Sequence, residues 1–240
     1  MPAKRLRRLV FAWKLFCYGL GTLTLAVIAV QLWFFAHVLY WNQFEPDFTS
    51  FMERRLQEMR ERNPAAKIRQ QWVPYERISP HLKRAVVAAE DARFLDHEGF
   101  DWDAIQKAMA RNEQHGKIVA GASTLSQQVA KNLFLSGSRS WLRKGQEAIL
   151  TWMLETTLSK RRILELYLNF AEWGEGGVFG AEAAARHHFG LTAAALGPEQ
   201  SAWLAAILPS PRRYDRGRTT PYIQSRVATI LGRMSAVQIP

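Results

Sequence analysis

Cysteine is nearly absent from this chain of 240 residues: Cys17 stands alone. One thiol excludes an internal disulfide framework and any zinc or redox site built on paired cysteines. Proline is missing between Pro80 and Pro198, so no residue in that stretch obliges a helix to break. Strand-like alternation is scarce, and the best candidate is a short piece at Ile68–Val73. Internal repeats and low-complexity segments are absent as well. Acidic residues are the minority, 21 Asp and Glu against 32 Lys and Arg. That balance favours anionic partners: nucleic acid, anionic lipid or a phosphorylated substrate. With 48% hydrophobic residues, the chain can build one domain with a real core and an appendage.

The most informative absence is of charge. From Leu15 to Tyr40, 26 residues include no Lys, Arg, Asp or Glu. As a helix this run is about 39 Å long, enough to cross a hydrocarbon core of roughly 30 Å with some tilt. Trp13, Trp33, Tyr40 and Trp41 lie near its two ends, as an interfacial aromatic belt does. A cleaved signal peptide is the alternative, but the run is too long and no A-x-A site follows it. Lys4, Arg5, Arg7, Arg8 and Lys14 precede the run with no acidic residue among them. They predict a cytoplasmic N-terminus and an exported remainder, and so argue against a nucleic-acid partner. The expected organisation is a cytoplasmic basic tail (1–14), a transmembrane helix (15–40), a juxtamembrane helix and linker (41–71) and one exported domain (72–240).

Apolar spacing predicts a mostly α-helical domain. Phe44–Arg62 reads as an amphipathic helix ending at Asn63-Pro64. Trp152, Met153, Leu154 and Leu158, then Ile163, Leu164, Tyr167 and Leu168, keep helical spacing. A last helix is expected at Tyr222–Met234, after an Arg- and Pro-rich tail.

Four clusters hold residues suited to chemistry. In the first, Glu90-Asp91-Ala92-Arg93-Phe94-Leu95-Asp96-His97, an apolar helix delivers two carboxylates at its C-terminal end. The helix dipole disfavours negative charge there, which suits a general base; a solvated acidic loop has the same sequence signature. In the second, Gly121-Ala122-Ser123-Thr124-Leu125-Ser126-Gln127-Gln128-Val129-Ala130-Lys131-Asn132, Thr124 and Gln127 fit a capping box. Leu125, Val129 and Leu133 mark the buried stripe of that helix, and Gln128, Lys131 and Asn132 share another face. A capped helix start followed by a lysine can hold a phosphate; an ordinary helix with a polar outer face looks alike. In the third, Arg143 and Glu147 stand four apart and predict either a surface ion pair or a phosphate-binding fork beside a second acid. The fourth, Lys160-Arg161-Arg162-Ile163-Leu164-Glu165-Leu166-Tyr167-Leu168-Asn169, has core spacing and reads as structural. Glu172–Gly177 beyond it reads as a mobile loop. His187 and His188 are adjacent rather than one turn apart, so no metal site is expected from them.

Taken in order, EDARFLDHEGFD, GASTLSQQVAKN, RKGQE and KRRILELYLN resemble the motifs of the peptidoglycan glycosyltransferase family, glycosyltransferase family 51. The resemblance runs from about Trp72 to Met234. Ala122 stands where a second glycine is usual and Ser126 where threonine is common. The transpeptidase motifs S-x-x-K and K-T-G are absent, as in monofunctional members of the family.

The resemblance implies a lysozyme-like, two-lobed helical domain whose smaller lobe lies near the membrane. It implies a peptidoglycan glycosyltransferase that polymerises lipid II into β-1,4-linked glycan by inverting transfer, releasing undecaprenyl pyrophosphate. Glu90 would be the base on the acceptor 4-hydroxyl, and Glu147, the second catalytic glutamate, would have an orienting role on the phosphate side. Lys131 and Arg143 would meet the pyrophosphate. Thr124, Gln128 and Asn132 would position sugar or phosphate oxygens, with Asp91, Phe94 and His97 shaping the same cleft. No cofactor is demanded, and room is left for a divalent cation, Mg or Mn. Expected partners are lipid II, the growing glycan, membrane lipid and wall-synthesis or division proteins. The expected place is the bacterial inner membrane, with one span and a periplasmic catalytic domain. A lytic enzyme that cuts glycan and a non-catalytic scaffold are the alternatives.

Overall fold

The uncharged run lies within α1 (Pro2–Gln43), one uninterrupted helix of 42 residues. The computed structural model describes residues 2–117, 119, 121–135, 140–215 and 220–240, without the side chains of residues 2–5 and 8. The side chains of Lys4, Arg5 and Arg8, and the tail residues Arg216 and Arg218, therefore lie outside the described part. Within α1, Leu9–Gln43 is long and apolar enough to cross a membrane, with a mean hydropathy of 1.9. Its leucines, such as Leu20, Leu23 and Leu25, are exposed on the protein itself, so the rest of the described chain does not bury this apolar surface. No break marks the expected limits at residues 15 and 40.

The remaining elements follow as α2 (Ser50–Arg62), β1 (Arg69–Gln70), α3 (Pro80–Glu90), α4 (Trp102–His115), α5 (Leu125–Phe134), α6 (Trp141–Thr157) and α7 (Lys160–Phe170). After these come β2 (Glu172–Gly174), β3 (Val178–Phe179), α8 (Ala181–Phe189), α9 (Pro198–Ile207), α10 (Pro211–Tyr214) and α11 (Pro221–Met234). The mostly helical class expected from apolar spacing is the class observed.

Three local expectations need correction. The helix expected from Phe44 starts only at Ser50, where Thr49 caps it by accepting from the Met52 amide at 3.1 Å. Pro46 explains the delay, because it disfavours helical backbone at Glu45 and has no N–H of its own. Glu172–Gly177 is not a loose loop but a hairpin with Glu172 and Trp173 buried. Buried Arg55 bonds Glu172 Oε1 at 2.9 Å and the Glu175 carbonyl at 3.0 Å. Trp152 does not face the core: it is 61% exposed, as are Trp141 and Leu142 to a greater degree. Helix α6 carries two apolar faces, one buried through Leu150, Met153 and Leu154, the other turned outward.

The hairpin forms the edge of a small sheet, ordered β1-β3-β2, in which β1 runs parallel to β3. The expected strand at Ile68–Val73 thus exists as two residues. Asn169, at the end of α7, ties the chain after it by bonding both the amide and carbonyl of Val73. Gly180, with φ +81°, follows the hairpin where a Cβ would sit 2.7 Å from the Asn169 carbonyl oxygen. Only glycine admits that approach.

Helices α3, α9 and α11 pack together, and α5 packs on both α6 and α7. The two groups leave a cleft between them. The C-terminal part of α1 docks on α6, where Gln31 and Gln146 exchange hydrogen bonds of 2.8 and 3.0 Å. Phe34 and Trp41 pack on Phe134, and Arg162 donates to the carbonyls of Trp41 and Phe44 near the helix end, which lacks partners of its own.

Candidate active site

Glu90 is the last residue of α3, whose start is set by Ser79 capping and Pro80 in the first turn. Its carboxylate is only 13% exposed. Burial pushes it above the usual carboxylate range; the Gln128 hydrogen bond and the charges of Arg226 and Lys131 pull it back, and Asp91 adds to the rise. The C-terminal end of α3 acts in the same direction as burial. Gln128 Nε2 donates to Glu90 Oε2 at 2.9 Å. Tyr167 in turn donates to Gln128 Oε1 at 3.4 Å, which turns the amide nitrogen toward the glutamate. Burial and the Glu90 charge raise Tyr167 well above its ordinary value, so it stays a donor.

Beneath Glu90 lies a seat of fully engaged groups. Buried Asp91 accepts from the Leu125 amide at 3.0 Å and from His97 Nε2 at 2.9 Å. His97 Nδ1 accepts from the Gly99 amide. Thr124 caps α5 in the expected capping box and donates to the Gly99 carbonyl at 2.7 Å. Phe94 is wholly buried, with Lys160 Nζ 4.6 Å above its ring; that lysine also bonds the His97 carbonyl. The fourth cluster is therefore bound to the first.

On the other side α5 and α6 present cations. Burial holds Lys131 below the ordinary lysine range; Glu147 and Glu90 oppose that shift, while Arg143 and Lys144 add to it. Of the two alternatives for Arg143 and Glu147, the ion pair does not form. Buried Glu147 takes Lys144, one turn back, as its partner, and Arg143 Nε is buried with no partner among the described residues. Glu90 lines one cavity, and its partner Gln128 lines another. The first, of 250 Å³, is lined by Glu90, Asp91, Arg93, Ser123 and Thr124, among others. The other, of 560 Å³, is lined by Gln128, Lys131, Asn132, Tyr167, Arg212 and Arg213, among others. The first hollow carries charges of both signs and the second is mostly cationic, so a carboxylate beside both can take a proton on one side while charge is neutralised on the other.

The family model described as transglycosylase matches residues 55–235, a span holding every one of these groups. The chain belongs to the transglycosylase family. It is 55% identical over 228 residues to the biosynthetic peptidoglycan transglycosylase of Nitrosospira multiformis, covering 95% of this chain and 97% of that one. Proteins of the same name from Dechloromonas aromatica (58% over 210 residues, 88% and 90% covered) and Azoarcus sp. (55% over 225, 92% and 96%) are similar. The lysozyme-like helical domain expected from the motifs goes with this membership.

In this transglycosylase the fold brings Gln128, Lys131 and Asn132 to one cavity, with Glu90 bonded to Gln128 and with Arg143 and Glu147 near enough to act on the Lys131 charge. Asp91, His97 and Thr124 meet below, their polar atoms already bonded, and Phe94 offers no surface. The sequence reading missed Arg226 of α11, whose Nη2 lies 3.6 Å from Glu90 Oε1. A signal was present: Arg226 interrupts the apolar spacing of Ile223, Ile230 and Met234, the stripe α11 buries. It also missed Arg212 and Arg213, which line the larger cavity from a four-residue helix.

The histidine argument also needs correction. Ligand atoms of His187, His188 and Asp215 lie within 4.8 Å of one another, because the third group arrives from the residue that ends α10 rather than from α8. His188 Nε2 already bonds the Trp173 carbonyl, and Asp215 bonds His187 and the Glu175 amide. A metal would have to displace those bonds.

Proposed function

We propose that this protein is a peptidoglycan glycosyltransferase that polymerises lipid II at the surface of the bacterial inner membrane. The single observation that carries this beyond family membership is a largely buried carboxylate at the edge of one cavity, bonded to a glutamine that lines a second cavity rich in cations. Glu90 takes the proton from the acceptor 4-hydroxyl as that oxygen attacks C1 of the donor sugar. The C1–oxygen bond to pyrophosphate breaks, the lipid pyrophosphate departs as an anion, and configuration inverts from α to β. Inversion needs a base on one face of C1 only. The leaving group needs no acid, since Lys131 and Arg143 neutralise it. Gln128 orients Glu90, Asn132 meets sugar or phosphate oxygens, and Glu147 holds the cationic wall in register through Lys144. Asp91, His97 and Thr124 fix the angle between α3 and α5. A divalent ion arriving with the pyrophosphate would add to the same cationic wall.

The anchor supports the membrane assignment. Five basic residues ahead of the uncharged run favour a cytoplasmic N-terminus. Outward-facing Trp102, Met109, Trp141, Leu142 and Trp152 suit a domain resting α4 and α6 on the outer leaflet, where its lipid-linked substrates are confined. A lytic enzyme would have no use for a half-buried arginine with an unpaired Nε beside Lys131.

Incubation of Glu90→Gln with labelled lipid II tests the reading. Gln keeps the shape and cannot accept the proton, so polymer formation is expected to fall by roughly 10²–10⁴-fold with lipid II binding retained. Parental polymerisation by Glu90→Gln, or glycan fragments in place of polymer from the parent, would overturn it.

A further inference from the structure

Helix α11 brings a cation to Glu90 that none of the four motif clusters contains. Arg226 Nη2 lies 3.6 Å from Glu90 Oε1, while the other carboxylate oxygen is held by Gln128. The Arg226 side chain is 27% exposed, and its Nε is buried without a hydrogen-bond partner among the described residues. Around it α11 packs on α3 and α9 through Ile223, Ile230 and Met234. A guanidinium with an unpaired buried donor is unfavourable for the fold alone, so packing does not account for it.

We propose that Arg226 is a positioning residue of the reaction, which aims the Glu90 carboxylate and keeps it a working base. The inference rests on Glu90 being that base. A carboxylate withdrawn from water takes up a proton unless opposite charge faces it. The groups facing Glu90 are Gln128 and Lys131 from α5, Tyr167 from α7, Asp91 from the turn after α3 and Arg226 from α11. Gln128 and Tyr167 are neutral, and Asp91 opposes ionisation. Lys131 divides its field between Glu90 and Glu147 and is committed to the pyrophosphate. Arg226 is the counter-charge that remains. Its spacing matters: at 3.6 Å it exerts charge without a hydrogen bond. Oε1 therefore keeps its lone pairs open for the acceptor hydroxyl, which a bidentate arginine would occupy.

Lipid II polymerisation is measured against pH for the full chain and for Arg226→Met, Arg226→Lys and Glu90→Gln, with thermal unfolding checking the fold. In Arg226→Met the acid limb is expected to move up by about one pH unit. Activity then falls about tenfold below the limb, changes little on the alkaline plateau and keeps its KM. Arg226→Lys restores most of the profile. Arg226→Gln replaces the Met variant, with the same expectations, if that variant does not fold. A loss equal at every pH, or a limb that stays in place, overturns the inference and leaves Arg226 a packing residue. An unmoved limb beside an inactive Glu90→Gln sinks this inference alone. An active Glu90→Gln sinks the assignment of the base, and this inference with it.

Discussion

The two flanks of Glu90 are built on opposite terms. Below it, Asp91, His97 and Thr124 spend their polar atoms on one another and on backbone groups of Leu125, Gly99 and Gln127. Beside it, Arg143 keeps a buried donor unpaired and Lys131 is held in partial desolvation. Saturated polar groups rigidify, while buried groups left wanting partners are costly unless a ligand supplies them. One flank is framework and the other is receptor, although both were drawn from motifs that read as equally chemical.

The largest test of that contrast falls on the receptor side. Lys131→Ala and Arg143→Ala are each expected to lower kcat/KM by roughly 10²–10³-fold with unfolding temperatures near the parental value. Arg143→Lys is expected to recover only part of the loss, since a point charge lacks the planar fork. If both alanine variants polymerise lipid II at parental rates, the receptor flank is misassigned.

The framework side should fail differently. Thr124→Ala removes a helix cap and strands the Gly99 carbonyl, at about 1–2 kcal/mol of stability. Denaturant unfolding reads that cost, and the folded fraction is expected to keep activity within a few-fold of parental. A variant of parental stability with activity down a hundredfold would move Thr124 across to the receptor flank.

The smallest effect concerns Glu90 itself. Burial raises its folded-state pKa, so the native state binds the proton more tightly than the unfolded chain, and stability is lost as pH rises through that window. Glu90→Gln is free of this loss. It is expected to unfold at a higher temperature than parent near pH 7, with the advantage shrinking as pH falls toward the unfolded value. A gap that widens on acidification contradicts the desolvated carboxylate.

What could be read beforehand was what is local. The Thr124–Gln127 capping box, the stripe of Leu125, Val129 and Leu133, and the end of α3 at Glu90 depend on neighbours within a turn, and the chain displays them. Long-range pairing was not legible. Glu172–Gly177 has the glycines of a loop, and only Arg55, over a hundred residues earlier, makes it a buried hairpin. Arg143 and Glu147 have ideal spacing, yet Glu147 turns to Lys144. Trp152 has core spacing, but α6 is exposed on that side. Arg226 reaches Glu90 from a helix that local patterning treats as a tail.

The mutual hydrogen bonds of Gln31 and Gln146 have a mechanical consequence. A swivel of α1 about its own axis would break both bonds, slide Phe34 and Trp41 off Phe134, and pull Trp41 and Phe44 from Arg162. Helix α1 and the domain are thus held at one azimuth by contacts to α5, α6 and α7. On the proposed function, a glycan strand leaving the cleft would therefore take a heading fixed relative to α1.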